Sequence, residues 1–218
     1  MLVLGDAHAD DPARRDALLA AYREVDPDAA LQVGDLFHYD LPAPTWFVAG
    51  NNEDFDVIDA LRRGDAALTD AGRPHLLAST AADVEGLRVG GLSGNFAPTQ
   101  YGKSRADLAG DRRRHFVRAE VERAASLTDV DVFLAHQPPR GLLRVAGGRD
   151  PGVGAVDKIL RAVEPDLLLV GHNHRHAEAT IEGVRVVSLA PTWEAYYTLD
   201  PATLELERHA VERDATEP

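Results

Sequence analysis

The sequence predicts an α/β fold in which two β-sheets pack together with helices on the outside. Short apolar runs alternate with amphipathic stretches through most of the chain, whereas the end of the chain turns to successive strands alone. The first pattern favours sheets covered by helices, and an all-β tail adds strands to those sheets. No linker or low-complexity segment interrupts the 218 residues, of which 44% are hydrophobic and 27% charged. Residues 1–218 therefore read as a single domain with enough length for a sizeable core.

The elements follow in order. "LVLG" reads as a short buried strand, since no basic leader or cleavage-like region marks it as a signal peptide. "DPARRDALLAAYREV" offers Asp11 as a cap, Pro12 at the first helical position and the apolar spacing of an amphipathic helix. "AALQVG" and "TWFVAG" are further strands, with a short helix expected around Phe55 to Leu61. Extended segments near His75 to Ser79 and at "LRVGGLSG" precede a helix expected from about Ser104 to Ala125. Then come the strand "VDVFLA", the helix "VGAVDKILRAVE" and the strand "DLLLV". "VRVVSLA", "AYYTLD" and "TLELERHAV" close the chain as strands, with turns at Gly183, Pro191 and Pro201.

Composition limits the function classes. There is no cysteine, which excludes disulfides, thiolate metal sites and cysteine nucleophiles. No segment approaches the roughly 20 apolar residues that span a bilayer, so no membrane partner is expected and a cytoplasmic location is. The net charge is −13, and Lys103 and Lys158 are the only lysines. Such a surface suits solubility in concentrated salt, where repulsion is screened over a few ångströms; a GC-rich genome would also favour Arg over Lys. The charge disfavours non-specific nucleic-acid binding, which rests on phosphate neutralisation. The run Arg112-Arg113-Arg114 is a local exception, expected as a solvated helix face.

The informative regularity lies where the strands end. "LVLG" leads to Asp6 and His8, "LQVG" to Asp35, "FVAG" to Asn51 and Asn52, "VFLA" to His136, and "LLLVG" to His172 and His174. In open α/β sheets ligands bind at the carboxyl edge, so these side chains can converge although far apart in sequence. Carboxylate oxygen, amide oxygen and imidazole nitrogen together suit hard and borderline divalent cations. Singly, each residue has a plainer reading: Asp6 and Asp35 as helix caps, Asn51-Asn52 as a turn, His136 as a turn residue, His172 and His174 as loop polarity. Their recurrence at five strand ends points to a metal site.

In that order and spread, Asp6-Ala7-His8, Gly34-Asp35, Gly50-Asn51, His136 and Gly171-His172-Asn173-His174 resemble the calcineurin-like metallophosphoesterase superfamily. The resemblance implies a four-layer α/β/β/α sandwich of two mixed sheets flanked by helices, with two divalent metal ions at the strand ends. It implies that Asp6, His8 and His174 hold one ion, that Asn51, His136 and His172 hold the other, and that Asp35 bridges them. Mn²⁺ is the expected metal, and Fe, Zn, Ni and Co also accept such ligands. Two cations about 3.5 to 4 Å apart can clamp a phosphoryl group and lower the pKa of a bridging water. The expected activity is therefore hydrolysis of a phosphate ester by hydroxide. No G-x-S-x-G elbow or Walker-type loop offers a competing chemistry.

One position departs from the family pattern. Many members carry His after Gly-Asn as the proton donor to the leaving group; here Gly50-Asn51 is followed by Asn52. An amide is no general acid, and losing one costs about 10² to 10⁴ in rate. Asn52 is thus the catalytic position in question; His38 in "GDLFHYD" is the first candidate for a replacement donor, with an exposed loop histidine as its plainer reading, and His176 is a weaker candidate. His75, His115 and His209, with no motif around them, are expected to be structural or surface. Small prokaryotic phosphodiesterases of this fold often lack that His, which favours a diester substrate over a monoester. "LRVGGLSGNF" and "VDVFLAHQPPRG" also look similar to segments of the RNA lariat debranching enzymes, so nucleic acid enters only as a substrate. A catalytically weak scaffold of the same fold is the reading from another class.

Overall fold

The computed structural model describes residues 1–65 and 74–211. Two mixed six-stranded sheets face each other. The first contains β1 (Leu2–Leu4), β2 (Ala30–Gln32), β3 (Thr45–Phe47) and β4 (Pro74–Leu76) in parallel. The second contains β5 (Thr80–Val84), β6 (Leu87–Leu92), β7 (Val132–Ala135), β8 (Leu167–Val170), β9 (Ala177–Ile181) and β10 (Val184–Ser188) in the order β5-β6-β7-β8-β10-β9. Its inner four strands are parallel, and β5 and β9 are antiparallel at the edges. The tail strands β11 (Ala195–Leu199) and β12 (Leu206–Ala210) return to the first sheet, where β11 runs antiparallel to β1.

The period-2 alternation of strands sorts side chains into layers. Val3, Leu134 and Leu169 point between the sheets into one core, while Leu2 and Leu4 face out on the first sheet and Phe133 and Leu168 on the second. Helices cover both outer faces, which is why the central strands are apolar on both sides. On the first sheet, α1 (Pro12–Val25) contributes Leu18 and Tyr22 and α2 (Phe55–Arg63) contributes Ile58. A helical turn, α3 (Pro98–Tyr101), precedes the helices of the second sheet, α4 (Arg118–Ala124) and α5 (Gly154–Val163), which contribute Val121, Ile159 and Leu160. The cap read for α1 holds: the Asp11 carboxylate accepts from the Arg14 N–H at 3.1 Å, with Pro12 opening the helix. The result is the α/β/β/α sandwich.

The helix expected from Ser104 to Ala125 is a correction. Only Arg118–Ala124 is α-helical; before it lie 3₁₀ turns at Arg105–Asp107 and Gly110–Arg114. Tertiary hydrogen bonds outweigh local helix preference there. The Arg105 guanidinium donates to the carbonyls of Arg113 at 2.8 Å and His115 at 2.7 Å and to Glu120 Oε2 at 2.6 Å, folding the segment back on itself. Gly110 takes φ 55°, a left-handed turn that suits glycine. Arg113 is accordingly no solvated face: its Nη1 bonds Asp56 at 2.7 Å and Asp59 at 2.9 Å. The strands β5 and β9 escaped the sequence reading because they are edge strands with little apolar signal, as in "AEATI".

Candidate metal centre

All seven residues expected as ligands meet at the carboxyl ends of β1, β2, β3, β7 and β8. They form two clusters. In one, His8 Nε2 lies 3.1 Å from His174 Nε2 and 3.3 Å from Asp35 Oδ2, and His174 Nε2 lies 3.1 Å from Asp6 Oδ2. In the other, His136 Nε2 lies 3.0 Å from Asn51 Oδ1, 3.2 Å from His172 Nδ1 and 3.6 Å from Asp35 Oδ1. Asp35 turns one carboxylate oxygen to each.

The local backbone is shaped for this convergence. A β-carbon on Gly50 would collide with the Asp35 carboxylate, and one on Gly171 with that of Asp6, so a side chain at either position would push the loops apart. His8, Asp35, His172 and His174 all adopt positive φ, between 45° and 70°. Such angles in non-glycine residues concentrate at functional sites, where surrounding contacts hold them. Those contacts come from residues that the sequence reading passed over. Gln32, buried in β2, donates to the Gly5 carbonyl and accepts from Gly34 N–H at 2.8 Å, tying the loops after β1 and β2. Glu53 accepts from Leu36 and Phe37 N–H, Gly50 N–H and the Tyr39 hydroxyl, joining the loops after β2 and β3. Burial pushes the Glu53 carboxyl up to about 7 against the pull of these four donors.

Asn52 answers the question raised by its place in the motif. Its backbone N–H donates to Asp35 Oδ1 at 2.7 Å and its amide to Oδ2 at 2.9 Å. Asn52 therefore orients the shared carboxylate. His38 forms no hydrogen bond, ion pair or ring contact with either cluster among the described residues, and His176 points to the Tyr197 hydroxyl at 3.2 Å. His75 stacks on Trp46 and His209 on Tyr196.

The donor set fits a cation. His136 Nδ1 faces the Val33 carbonyl at 2.9 Å, which only accepts, so Nδ1 carries the proton and the Nε2 lone pair points into the cluster. There it meets the oxygens of Asn51 and Asp35 and Nδ1 of His172, a set of oxygen and imidazole nitrogen donors suited to a divalent cation. Burial and the His136 ring push His172 down to about 4, so its imidazole is neutral and able to ligate. Burial raises the Asp6 carboxyl, but the His174 hydrogen bond, the neighbouring imidazoles of His136 and His174 and the His172 N–H outweigh it and leave Asp6 below the usual range. His174 is pushed up by its hydrogen bond to Asp6. Ligand atoms of Asp6, His8, Asp35 and His174 all lie within 4.8 Å of one another.

Beside the clusters opens a cavity of about 410 Å³. It is lined by Asn51 and His172 of the second cluster and by Asn95, Asp111, Arg112, Arg114 and His115, which make up its wall. His115, set aside on sequence, lines this space together with His172. The signal available was its position directly after the arginine run of an acidic chain.

Comparison with known proteins places this architecture. The fold is that of TT1561 of Thermus thermophilus (TM-score 0.65, 18% identity, 97% of this chain and 98% of that one). It is also that of a dimetal phosphatase from Danio rerio (TM-score 0.52, 13% identity, 92% of each chain). A curated relative is the lariat debranching enzyme of Schizosaccharomyces pombe, 26% identical over 183 residues; the match covers 71% of this chain but 39% of that protein. Among the described residues no helix is long and apolar enough to cross a membrane. Residues 1–176 match the family model of the calcineurin-like phosphoesterases, and with the five strand ends converging as described, the chain belongs to that family of phosphoester hydrolases.

Proposed function

We propose that this chain hydrolyses phosphate esters, phosphodiesters in preference to monoesters, at a centre of two divalent ions. Asp35 carries the proposal: its two oxygens face His8 on one side and His136 on the other, as a residue shared between two ions must. Asp6, His8 and His174 would hold one ion and Asn51, His136 and His172 the second, with Mn²⁺ the first ion to try. When bound, such a pair polarises the phosphoryl group and supplies hydroxide at neutral pH. The protein's part is orientation. Asn52 aims the Asp35 carboxylate, Glu53 and Gln32 hold the loops, and the proton on His136 Nδ1 keeps its Nε2 toward the centre.

The diester preference is supported by what Asn52 does. Its backbone and side-chain amides both donate to Asp35, and it has no acidic proton for a leaving alkoxide, which is the departure that small phosphodiesterases of this fold often share. The debranching activity of the fission-yeast relative is a phosphodiester cleavage and supports the same class. The test compares an aryl phosphate monoester with the matching diester under Mn²⁺, Co²⁺, Ni²⁺ and Mg²⁺, in the neutral range of a cytoplasmic enzyme and with high salt, which the acidic, lysine-poor surface suits. A higher kcat/KM for the diester is expected; strong preference for the monoester overturns the substrate class. Absence of turnover on either ester, with metal bound, would leave a scaffold role instead.

A further inference from the structure

We infer that the wall lined by Asp111, Arg112, Arg114 and His115 is a second anion subsite, and that the substrate carries a second phosphate beside the one hydrolysed. The inference rests on the proposed hydrolase reading and narrows its substrate class. Three observations carry it. First, Arg112 and Arg114 line the same cavity as Asn51 and His172, although the chain as a whole has a net charge of −13. A cavity that collects cations on an acidic protein focuses an attractive field on an anionic ligand.

Second, the three arginines of the run are not equivalent. Arg113 is turned away and occupied by Asp56 and Asp59. Asp111, the one carboxylate on the wall, is matched by Arg114 at 3.3 Å, and Arg114 Nε also holds the Asp111 carbonyl at 2.7 Å. The Arg112 side chain finds no partner among the described residues and is exposed toward the cavity it lines. Its guanidinium is a planar fork suited to bidentate binding of phosphate oxygens.

Third, Asn95 is one of the residues lining the cavity, and its side-chain oxygen is buried beside it without a hydrogen-bond partner. A buried acceptor left unpaired is costly unless a ligand satisfies it. A hydroxyl or N–H on the organic part of the substrate would do so. A scissile phosphate over the clusters, a hydroxyl- or amide-bearing body against Asn95 and a second phosphate on Arg112 together describe a phosphorylated nucleotide or sugar ester.

The matched probes are the p-nitrophenyl ester of thymidine 5′-phosphate with and without a 3′-phosphate, assayed on the Mn²⁺-loaded protein at low salt. The 3′-phosphate is expected to lower KM by about tenfold, the scale of one charge-assisted contact, and the advantage should shrink as salt screens it. In Arg112→Ala the ratio of the two KM values should approach one, and in Arg112→Glu it should invert. Equal KM values for the two esters in the unsubstituted protein, or a ratio that survives both substitutions, overturn the subsite. Replacing the 3′-phosphate with its methyl ester separates sources: full retention of the advantage indicates an internal phosphate of a strand, and its loss a terminal phosphate. Calorimetric binding of thymidine 3′,5′-bisphosphate against the 5′-monophosphate reads the same preference without turnover. It tests the subsite even if the hydrolase reading fails, and equal affinities there count against it.

Discussion

On one side of Asp35, His136 is 0% exposed and its ring is fixed by the Val33 carbonyl; on the other, His174 keeps 42% of its side chain exposed. The rings of His8 and His174 lean on Trp193, with centroids 5.7 and 5.4 Å away, and the Arg14 guanidinium covers the indole at 4.2 Å. One cluster is held by a backbone carbonyl inside the core, the other by ring packing at the rim. Backbone hydrogen bonds from buried strands fix tautomer and angle, whereas ring contacts at the surface leave rotamer freedom. The His136 ring should hold its place as part of the fold, whereas the His174 ring at the rim should let its cluster exchange an ion more readily.

The largest effect should come from removing what the two share. Asp35→Ala is expected to lower turnover by at least about a hundredfold, the scale for losing one preorganised electrostatic group, and to reduce bound metal at both clusters by elemental analysis. Activity and metal content near normal would sink the bridging role. Gly50→Ala comes next: its methyl group collides with the Asp35 carboxylate and should weaken metal binding about ten- to a hundredfold. Circular dichroism would check that the sheets persist.

A subtler change is Asn52→Ala, which removes the amide contact to Asp35 Oδ2 but keeps the backbone donor to Oδ1. About tenfold loss of metal affinity is expected, the low end for a residue that orients a ligand. Loss as large as that of Asp35→Ala would mean that Asn52 does more than orient.

Acid should separate the clusters without mutation. His174 is pushed up by Asp6, so it retains its proton to higher pH and protons compete with metal there first; His172, pushed down to about 4, is already neutral. Metal affinity should therefore fall as pH drops, and the His174 cluster should lose its ion at a higher pH than the His136 cluster. Mn²⁺ titrations followed by electron paramagnetic resonance between about pH 5 and 8, the range in which histidines titrate, would show two steps; a single step at every pH contradicts the difference. The smallest effect is expected of Trp193→Phe, a change of a few-fold in rim-site affinity, within the worth of an aromatic pair. In Trp46→Phe, Trp193 becomes the sole tryptophan, and its fluorescence should report rim loading alone.

Much of this was legible before folding. Strands such as "VFLA" and "LLLV" declare themselves because burial on both faces demands continuous apolar side chains. The polar residues that follow them stand out against that background. The segment from Ser104 to Ala125 misled because its periodicity is real but its hydrogen bonds are not local: Arg105 reaches Arg113, His115 and Glu120. For His115 the sequence offered only its place after the arginine run, since the fold-back is what brings it to the cavity. Asn52 could be flagged as a departure but not explained, because its partner, Asp35, lies seventeen residues away in sequence.

By itself, then, the sequence determined the layers, the strand ends and the chemical types delivered there. Periodicity and burial are local consequences of side-chain polarity, readable in a window of a few residues. The tertiary structure alone decided which oxygen of Asp35 faces which histidine, which nitrogen of His136 keeps its proton, and which arginine of three is left free over the cavity. Those are matters of a few ångströms between residues distant along the chain, and they are set by how two sheets meet.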